Sequence, residues 1–431
     1  MIDRHIADSA VKAMLTAGAD VGQASFTRGE KTELNVDAGA MSLLRTTIET
    51  NLAVTAYSKN RKGSSTVNLV DEDSIRNAAG EAVDAALVSK ADPAYGIAPA
   101  SAPAAFSIGS EAPDLQGMYD RLAEFLATCK KEYPSVNLEQ CVLDFTAKTS
   151  YFANSNGVSL SQARGMYSFF AVFTAKDGGK ASSFNYSGAN RLALDLPFVA
   201  WGDIGELMRQ ASEQIEAKPL DGKFEGDLII APYCLGDFLY RLETSYLGDY
   251  GLVSGASPFK LSFGKEVASK SFSLRSEPVS GVLQDRCYFT EDGFVAEDCP
   301  IIEKGILKNS FLSLYGANKT GLMRCPSGGG SLTVDPGDSS LENLIASTEK
   351  GVLLTRFSGG SPSEDGDFSG VAKNSYLIRE GKIERPLAGT MVSGNILKFL
   401  REIEGISKER VDFGNTLLPW IKTKGITISG S

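Results

Sequence analysis

Runs of Thr, Val, Leu and aromatic residues, each closed by a short turn, recur through most of the 431-residue chain. A turn of a few residues can only return the chain beside itself, so this punctuation predicts antiparallel strands rather than a parallel-wound sheet. Residues 2 to 17 carry Ile2, Ile6, Ala10 and Met14 at helical spacing and stop at Gly18, which predicts an amphipathic helix. Strands are expected near 21 to 28, 31 to 37, 42 to 48, 51 to 58 and 64 to 70, then an Ala-rich helix from 74 to 90 capped by Asp71 or Asp73. Residues 91 to 113 hold four prolines without periodicity and read as a flexible linker or exposed loop. A second block repeats the plan, with a helix from 114 to 132 and two long strands, 138 to 153 and 158 to 175, joined at Asn154-Ser155-Asn156-Gly157. A helix over 203 to 217 closes it.

Beyond residue 220 the β character increases. Residues 227 to 231 read as a buried strand, 235 to 247 and 394 to 403 as helices, and Tyr376 to Glu384 as a hairpin turning at Glu380-Gly381. The class expected is α+β, in two domains: an N-terminal helix and antiparallel-strand domain over 1 to 220 and a β-rich C-terminal domain over 221 to 431.

Charge and histidine content exclude several function classes. Forty-three Lys and Arg against 53 Asp and Glu leave a formal charge of −10, opposite to what a phosphate backbone attracts, so nucleic acid is not an expected partner. The single histidine, His5, reads as part of a solvated face of the N-terminal helix rather than as a lone base or ligand, which leaves no imidazole for a Ser-His-Asp triad or a Cys-His pair, and any zinc site needing two imidazoles from this chain is excluded. Six scattered cysteines form no C-x-x-C. They fit a reducing compartment, and with no signal-peptide pattern and no 18-residue apolar run a cytoplasmic protein is expected, away from membranes.

Motifs give little chemistry by themselves. Neither a P-loop nor a G-x-G-x-x-G after a strand is present. Ser257 with Lys260 and Ser347 with Lys350 match S-x-x-K, the hydrolase pattern open to a chain without histidine, at the rate chance supplies. Three glycine-rich stretches stand out: Gly328-Gly329-Gly330, Ser358-Gly359-Gly360 and Gly389 to Gly394. Consecutive glycines suit tight turns, and they equally suit a wall that an extended peptide approaches closely.

The stretch TRFSGGSPSEDGDFSGVAKNSYLIREGKIERPLAGTMVSGNILKFL, from Thr355, resembles the C-terminal signature of the TldD/PmbA family. Gly305-Ile306-Leu307, Thr320-Gly321, the 328 to 330 glycines and Asp335-Pro336-Gly337 resemble the preceding family blocks in order and spacing. In the zinc-bearing TldD branch a helix carries H-E-x-x-x-H, read as two histidines one turn apart on one face with a Glu to polarise water, and a C-terminal cysteine completes the site. The corresponding helix here places Tyr240, Arg241 and Ser245 at those positions, and the last cysteine is Cys325. Glu243, close to Arg241, is expected in a surface or structural ion pair. The ending GNTLLPWIKTKGITISGS is similar to the PmbA/TldE branch, which lacks the motif.

The resemblance implies a non-catalytic subunit, with no catalytic residue and no metal or cofactor of its own. A TldD-like zinc-bearing partner would complete a heterodimer around a chamber for unfolded or short peptides. Gly328, Gly329, Gly330, Ser358, Gly359 and Gly360 are the expected peptide or interface contacts, and Gly359→Val is expected to impair the activity of the complex without unfolding the chain. A rival reading is a stand-alone homodimeric peptide-binding protein; an enzyme with a Ser-Lys or carboxylate mechanism is a third.

Overall fold

The computed structural model describes residues 4–359 and 362–430. Its N-terminal part opens with helix α1 (Arg4–Thr16), followed by strands β1 (Val21–Asp37), β2 (Ala40–Ser58) and β3 (Arg61–Val67). Helix α2 (Glu72–Val88), β4 (Ala104–Ile108), α3 (Leu115–Glu132), β5 (Val136–Asn154) and β6 (Ser159–Asp177) come next. After these lie β7 (Lys180–Ala181), β8 (Asn185–Arg191) and α4 (Ile204–Glu213). Among the described residues these strands form one eight-stranded sheet, ordered β3-β2-β1-β5-β6-β4 with β7 and β8 on β6.

Four of the expected strands fuse into two. Val21–Asp37 and Ala40–Ser58 pair antiparallel from Val21↔Tyr57 to Asp37↔Ala40, straight through the polar stretch Arg28-Gly29-Glu30. The polar residues mark where the sheet is uncovered rather than where it ends. Toward one end Phe26, Leu52 and Val54 pack on Met14 of α1 and Ala78 and Ala82 of α2; toward the other Leu143, Phe169 and Phe173 pack on Leu122 and Phe125 of α3 and Leu207 of α4. Helix α2 starts where Asp71 accepts the Ser74 N–H, and its Ala stripe lets the helix backbone rest on the strand at Gly63.

Residues 91 to 113 are not a free linker. Ala104–Ile108 adds parallel to β6. Asp92 meets the Lys319 ammonium at 2.7 Å and the Tyr315 hydroxyl at 3.1 Å, and Asn318 donates to the Ala94 carbonyl at 3.0 Å. The prolines remove donors, yet side chains of the C-terminal part hold the segment in place.

Strand β9 (Lys218–Pro219) already belongs to the second sheet, where β10 (Lys223–Ile230) leads into helix α5 (Pro232–Arg241). Fourteen strands among the described residues make up this sheet. Its axis is the long last strand, Thr416–Ser429, which pairs with β10, with Ile403–Asp412 and with Thr390–Asn395, and buries Leu418, Ile421, Ile426 and Ile428. Lys382–Ala388 returns beside Ser375–Arg379 through Glu380 (φ 48°) and Gly381 (φ 72°), the two left-handed residues a tight hairpin requires. The fold is α+β with a β-rich C-terminal region. No helix among the described residues is long and apolar enough to cross a membrane.

Candidate functional site

Helix α5 is placed by its apolar face. Pro232 occupies its first turn, where a missing N–H costs nothing, and Cys234, Leu235, Phe238 and Leu239 are buried against the second sheet. The opposite face, with Tyr233, Gly236, Asp237 and Tyr240, turns toward the N-terminal sheet. Between the two lies a cleft of about 510 Å³, lined from the first sheet by Phe170 and Gly188 and from the second part by Tyr233, Asp237, Tyr240, Glu243, Gly330 and Phe413. Its seam is closed by Asn190 N–H donating to the Phe413 carbonyl at 3.0 Å and by the Arg164–Asp285 ion pair.

The helix does not continue as an α-helix. Leu242–Leu247 is a π-helical turn, with one extra residue per turn, before a short helix Asp249–Ser254. This bears on Tyr240 and Ser245, which are five residues apart. On an ideal α-helix such positions point about 140° apart, so the expectation of one shared face fails for regular geometry. Here the widened turn overlaps their interval. Tyr240 is 58% exposed and lines the cleft; Ser245 is half-buried and does not.

Glu243 is not in an ion pair with Arg241. Residues i and i+2 leave a helix in different directions, and the two part accordingly. The Arg241 guanidinium lies 5.9 Å from the Tyr240 ring centre, whereas Glu243 Oε1 accepts the Gly330 N–H at 2.7 Å. Burial raises the Glu243 pKa, and the Gly330 bond opposes that rise in part. The glycine turn is shaped for this contact: Gly328, Gly329 and Gly330 have φ of 78°, 101° and 64°, and a β-carbon on Gly329 would stand 2.6 Å from Glu243 Oε1. Two separate expectations, a glycine-rich contact segment and the helix of the missing ligands, thus meet at one carboxylate.

Asp237 keeps surface open to the cleft, but the protein packed around it pushes its pKa up, against the pull of Arg356 and Arg241. Arg356 is engaged elsewhere: its guanidinium stacks 3.5 Å from the Tyr186 ring centre and donates to Asn185 Oδ1 at 3.4 Å. Tyr186 packs edge-on against Tyr233, and Tyr233 edge-on against Phe413, each 5.7 Å between centres. An aromatic wall therefore runs from the buried seam to the cleft.

The second glycine segment sits on the other flank of α5. A pocket of about 320 Å³ is lined by Asp237, Tyr240, Arg241, Phe357, Gly359 and Pro362. Gly359 ends the strand Arg356–Gly359, and a β-carbon there would lie 2.7 Å from both the Phe357 ring and the Ser369 carbonyl. Gly359 is thus also a packing residue, so Gly359→Val would disturb the strand pair itself, against the expectation of an intact fold. Ser358 is exposed and lines neither pocket; Gly360 lies outside the described residues. Sequence reasoning missed Phe170, Gly188 and Asp237. No local signal marks them, because the first two reach the cleft only through the pairing of β6 with β8.

Neither S-x-x-K match forms a Ser-Lys pair. Ser257 Oγ accepts the Phe259 N–H at 3.1 Å; Ser347 Oγ accepts from Lys422, while the Lys350 ammonium lies 4.0 Å over the Phe224 ring. A zinc ion also does not suit α5. A phenol, a guanidinium and a hydroxyl at 240, 241 and 245 offer no imidazole or thiolate to a metal ion. Among the described residues no three His, Cys, Asp or Glu side chains converge as a metal-binding group.

Comparison with known proteins places this geometry. Residues 223–430 match the family model of the PmbA/TldA metallopeptidase C-terminal domain, 23–86 that of domain 1, and 112–218 that of the central domain. The chain is 25% identical over 280 residues to a metalloprotease of Methanothermobacter thermautotrophicus, covering 61% of this chain and 60% of that protein. It is 23% identical over 397 residues to the metalloprotease PmbA of Escherichia coli O157:H7, covering 87% and 85%. The crystal structure of TldE from Thermococcus kodakarensis superposes with a TM-score of 0.82 at 17% identity, over 98% of this chain and 99% of that one.

Proposed function

Because the chain belongs to the PmbA/TldD metallopeptidase family, we propose that it serves as the non-catalytic subunit of a two-chain zinc metallopeptidase. Its part in that assembly is to form a wall of the chamber in which unfolded or short peptides lie. One observation carries the reading: the helix bordering the cleft and the π-helical turn after it carry Tyr240, Arg241 and Ser245 where the zinc-bearing branch has its ligand motif. Without imidazoles this helix neither holds a metal nor lowers the pKa of a bound water. Glu243 does not compensate, since one carboxylate oxygen is taken by Gly330 and no nucleophile-activating partner stands beside it. What the cleft retains is suited to binding: glycine backbone at Gly188 and Gly330, and rings of Phe170, Tyr233 and Phe413.

The expected partner is a TldD-like chain bearing H-E-x-x-x-H and the zinc. Affinity purification of the tagged chain from its native host, with mass spectrometry and zinc analysis, tests the proposal. Recovery of such a chain with about one zinc per pair, and peptide hydrolysis that needs both chains, supports it. Chelator-sensitive hydrolysis by this chain alone overturns it, and recovery of a metal-free self-dimer replaces it with the homodimeric peptide-binding reading.

A further inference from the structure

We infer that the cleft between the two sheets selects peptides carrying a cationic group, an ammonium or a guanidinium, seated between the Tyr233 and Tyr240 rings and the carboxylates of Asp237 and Glu243. The inference rests on the reading of this cleft as a peptide wall and adds to it the chemical class of the occupant.

The cleft's charges are one-sided. Of its lining residues only Asp237 and Glu243 are ionisable to a full charge near neutrality, and both are acids; no Lys, Arg or His lines it. Neither is neutralised by an ion pair among the described residues. Among the described residues only the Gly330 N–H reaches Glu243, on Oε1, and none donates to Asp237. Of the two cations that act on Asp237, Arg356 is stacked on Tyr186, and Arg241, one helical turn on, shares with Asp237 and Tyr240 the pocket on the other flank of α5 and pairs with neither acid. For Glu243, which is half-buried with no charged partner, an incoming cation removes part of the cost of burying its charge, and the exposed Asp237 adds a second negative charge at the mouth of the cleft.

The second element is aromatic. Phe170, Tyr233, Tyr240 and Phe413 line the same cleft as the two carboxylates, and ring faces attract cations. The methylene stem of a lysine or arginine side chain finds apolar surface on Phe413 and Leu418, while its charged head reaches the acids. An anionic residue or a peptide C-terminus would meet two negative charges instead.

Fluorescence anisotropy on the full chain, with C-terminally labelled pentapeptides, tests the inference without requiring hydrolysis. The peptides differ only at the central residue, Lys, Arg, norleucine or Glu, each with a free or an acetylated N-terminus. Lys or Arg peptides are expected to bind at least tenfold tighter than norleucine, and Glu weakest. Should acetylation rather than the Lys-to-norleucine change weaken binding, the cation is the N-terminal amine. Asp237→Asn and Glu243→Gln should each erase most of it. The amide oxygen introduced by Glu243→Gln still accepts the Gly330 N–H, and Asp237 has no partner to lose, so thermal unfolding confirms that both variants fold. Equal affinity for all eight peptides, free and acetylated, a preference unchanged in the double variant, or no binding at all overturns the inference. None of these outcomes touches the subunit reading, which the two-chain hydrolysis experiment decides separately.

Discussion

Two glycine segments that look alike in sequence, 328 to 330 and 358 to 359, do opposite things in the fold. The first is glycine because of its backbone: three consecutive left-handed residues fold the main chain around the Glu243 carboxylate. The second is glycine because of its surroundings: Gly359 is in an ordinary strand, opposite Gly370, and both make room for the Phe357 ring. Composition reports neither demand. A glycine run states that a side chain is unwelcome, and only the structure says whether conformation or space forbids it.

Substitutions separate the two causes. Gly329→Val combines both, since φ is 101° and the new β-carbon would press on Glu243 Oε1, so it should be the most damaging, about 3 kcal/mol or more by chemical denaturation. Gly359→Val carries only the packing penalty against Phe357 and Ser369, about 1–3 kcal/mol, and Phe357→Ala in the same chain should recover part of the ring's share. Gly330→Ala meets no atom within 4 Å and carries only the left-handed strain, about 1 kcal/mol, with Gly330→Asn milder still. Equal losses for Gly330→Ala and Gly329→Val would show that the Glu243 contact contributes nothing to the turn's rigidity.

The remaining effects are in pH. Asp203 is buried at the junction of the two parts, receives the Ser187 hydroxyl, and has Glu206 and Arg356 as its charged neighbours; burial raises its pKa from 3.8 to about 6. Between those values the folded chain holds a proton that the unfolded chain has lost, so this group's contribution to stability falls as pH rises from about 4 to about 6. Asp203→Asn should flatten that part of a stability-versus-pH curve. Glu243 and Asp237, also raised, slope the same way above the usual carboxylate range, and Glu243→Gln should lessen the decline without altering the Gly329-to-Gly330 ranking. An unchanged slope in both variants would mean that these two acids are as well solvated folded as unfolded.

Much of the fold is legible in the sequence where local chemistry decides it. The Asn154 to Gly157 hairpin, the Glu380-Gly381 turn and the Asp71 cap are each set by residues within a turn of one another. Strand length is not, because Arg28-Gly29-Glu30 is polar for lack of a covering layer and not for lack of a strand. The 91 to 113 segment misleads for a similar reason: its anchors, Tyr315, Asn318 and Lys319, are more than 200 residues away. At the site, the absence of ligands on α5 is readable residue by residue. The cleft is not, since strands β6 and β8, α5 and the Phe413 loop contribute to it from four distant stretches. Glu243 stands out in the sequence, but its partner is across the fold rather than beside it in the chain.

The π-helical turn after α5 makes the chain a natural host for retrofitting. Five-residue spacing returns toward one side of a helix only where a turn is widened, and this backbone already supplies the wide turn between Tyr240 and the end of Leu242–Leu247. Installing histidines at 240 and 245 together, with zinc titration as readout, would therefore ask how much of a metal centre is inherited from backbone spacing and how much must be built from side chains.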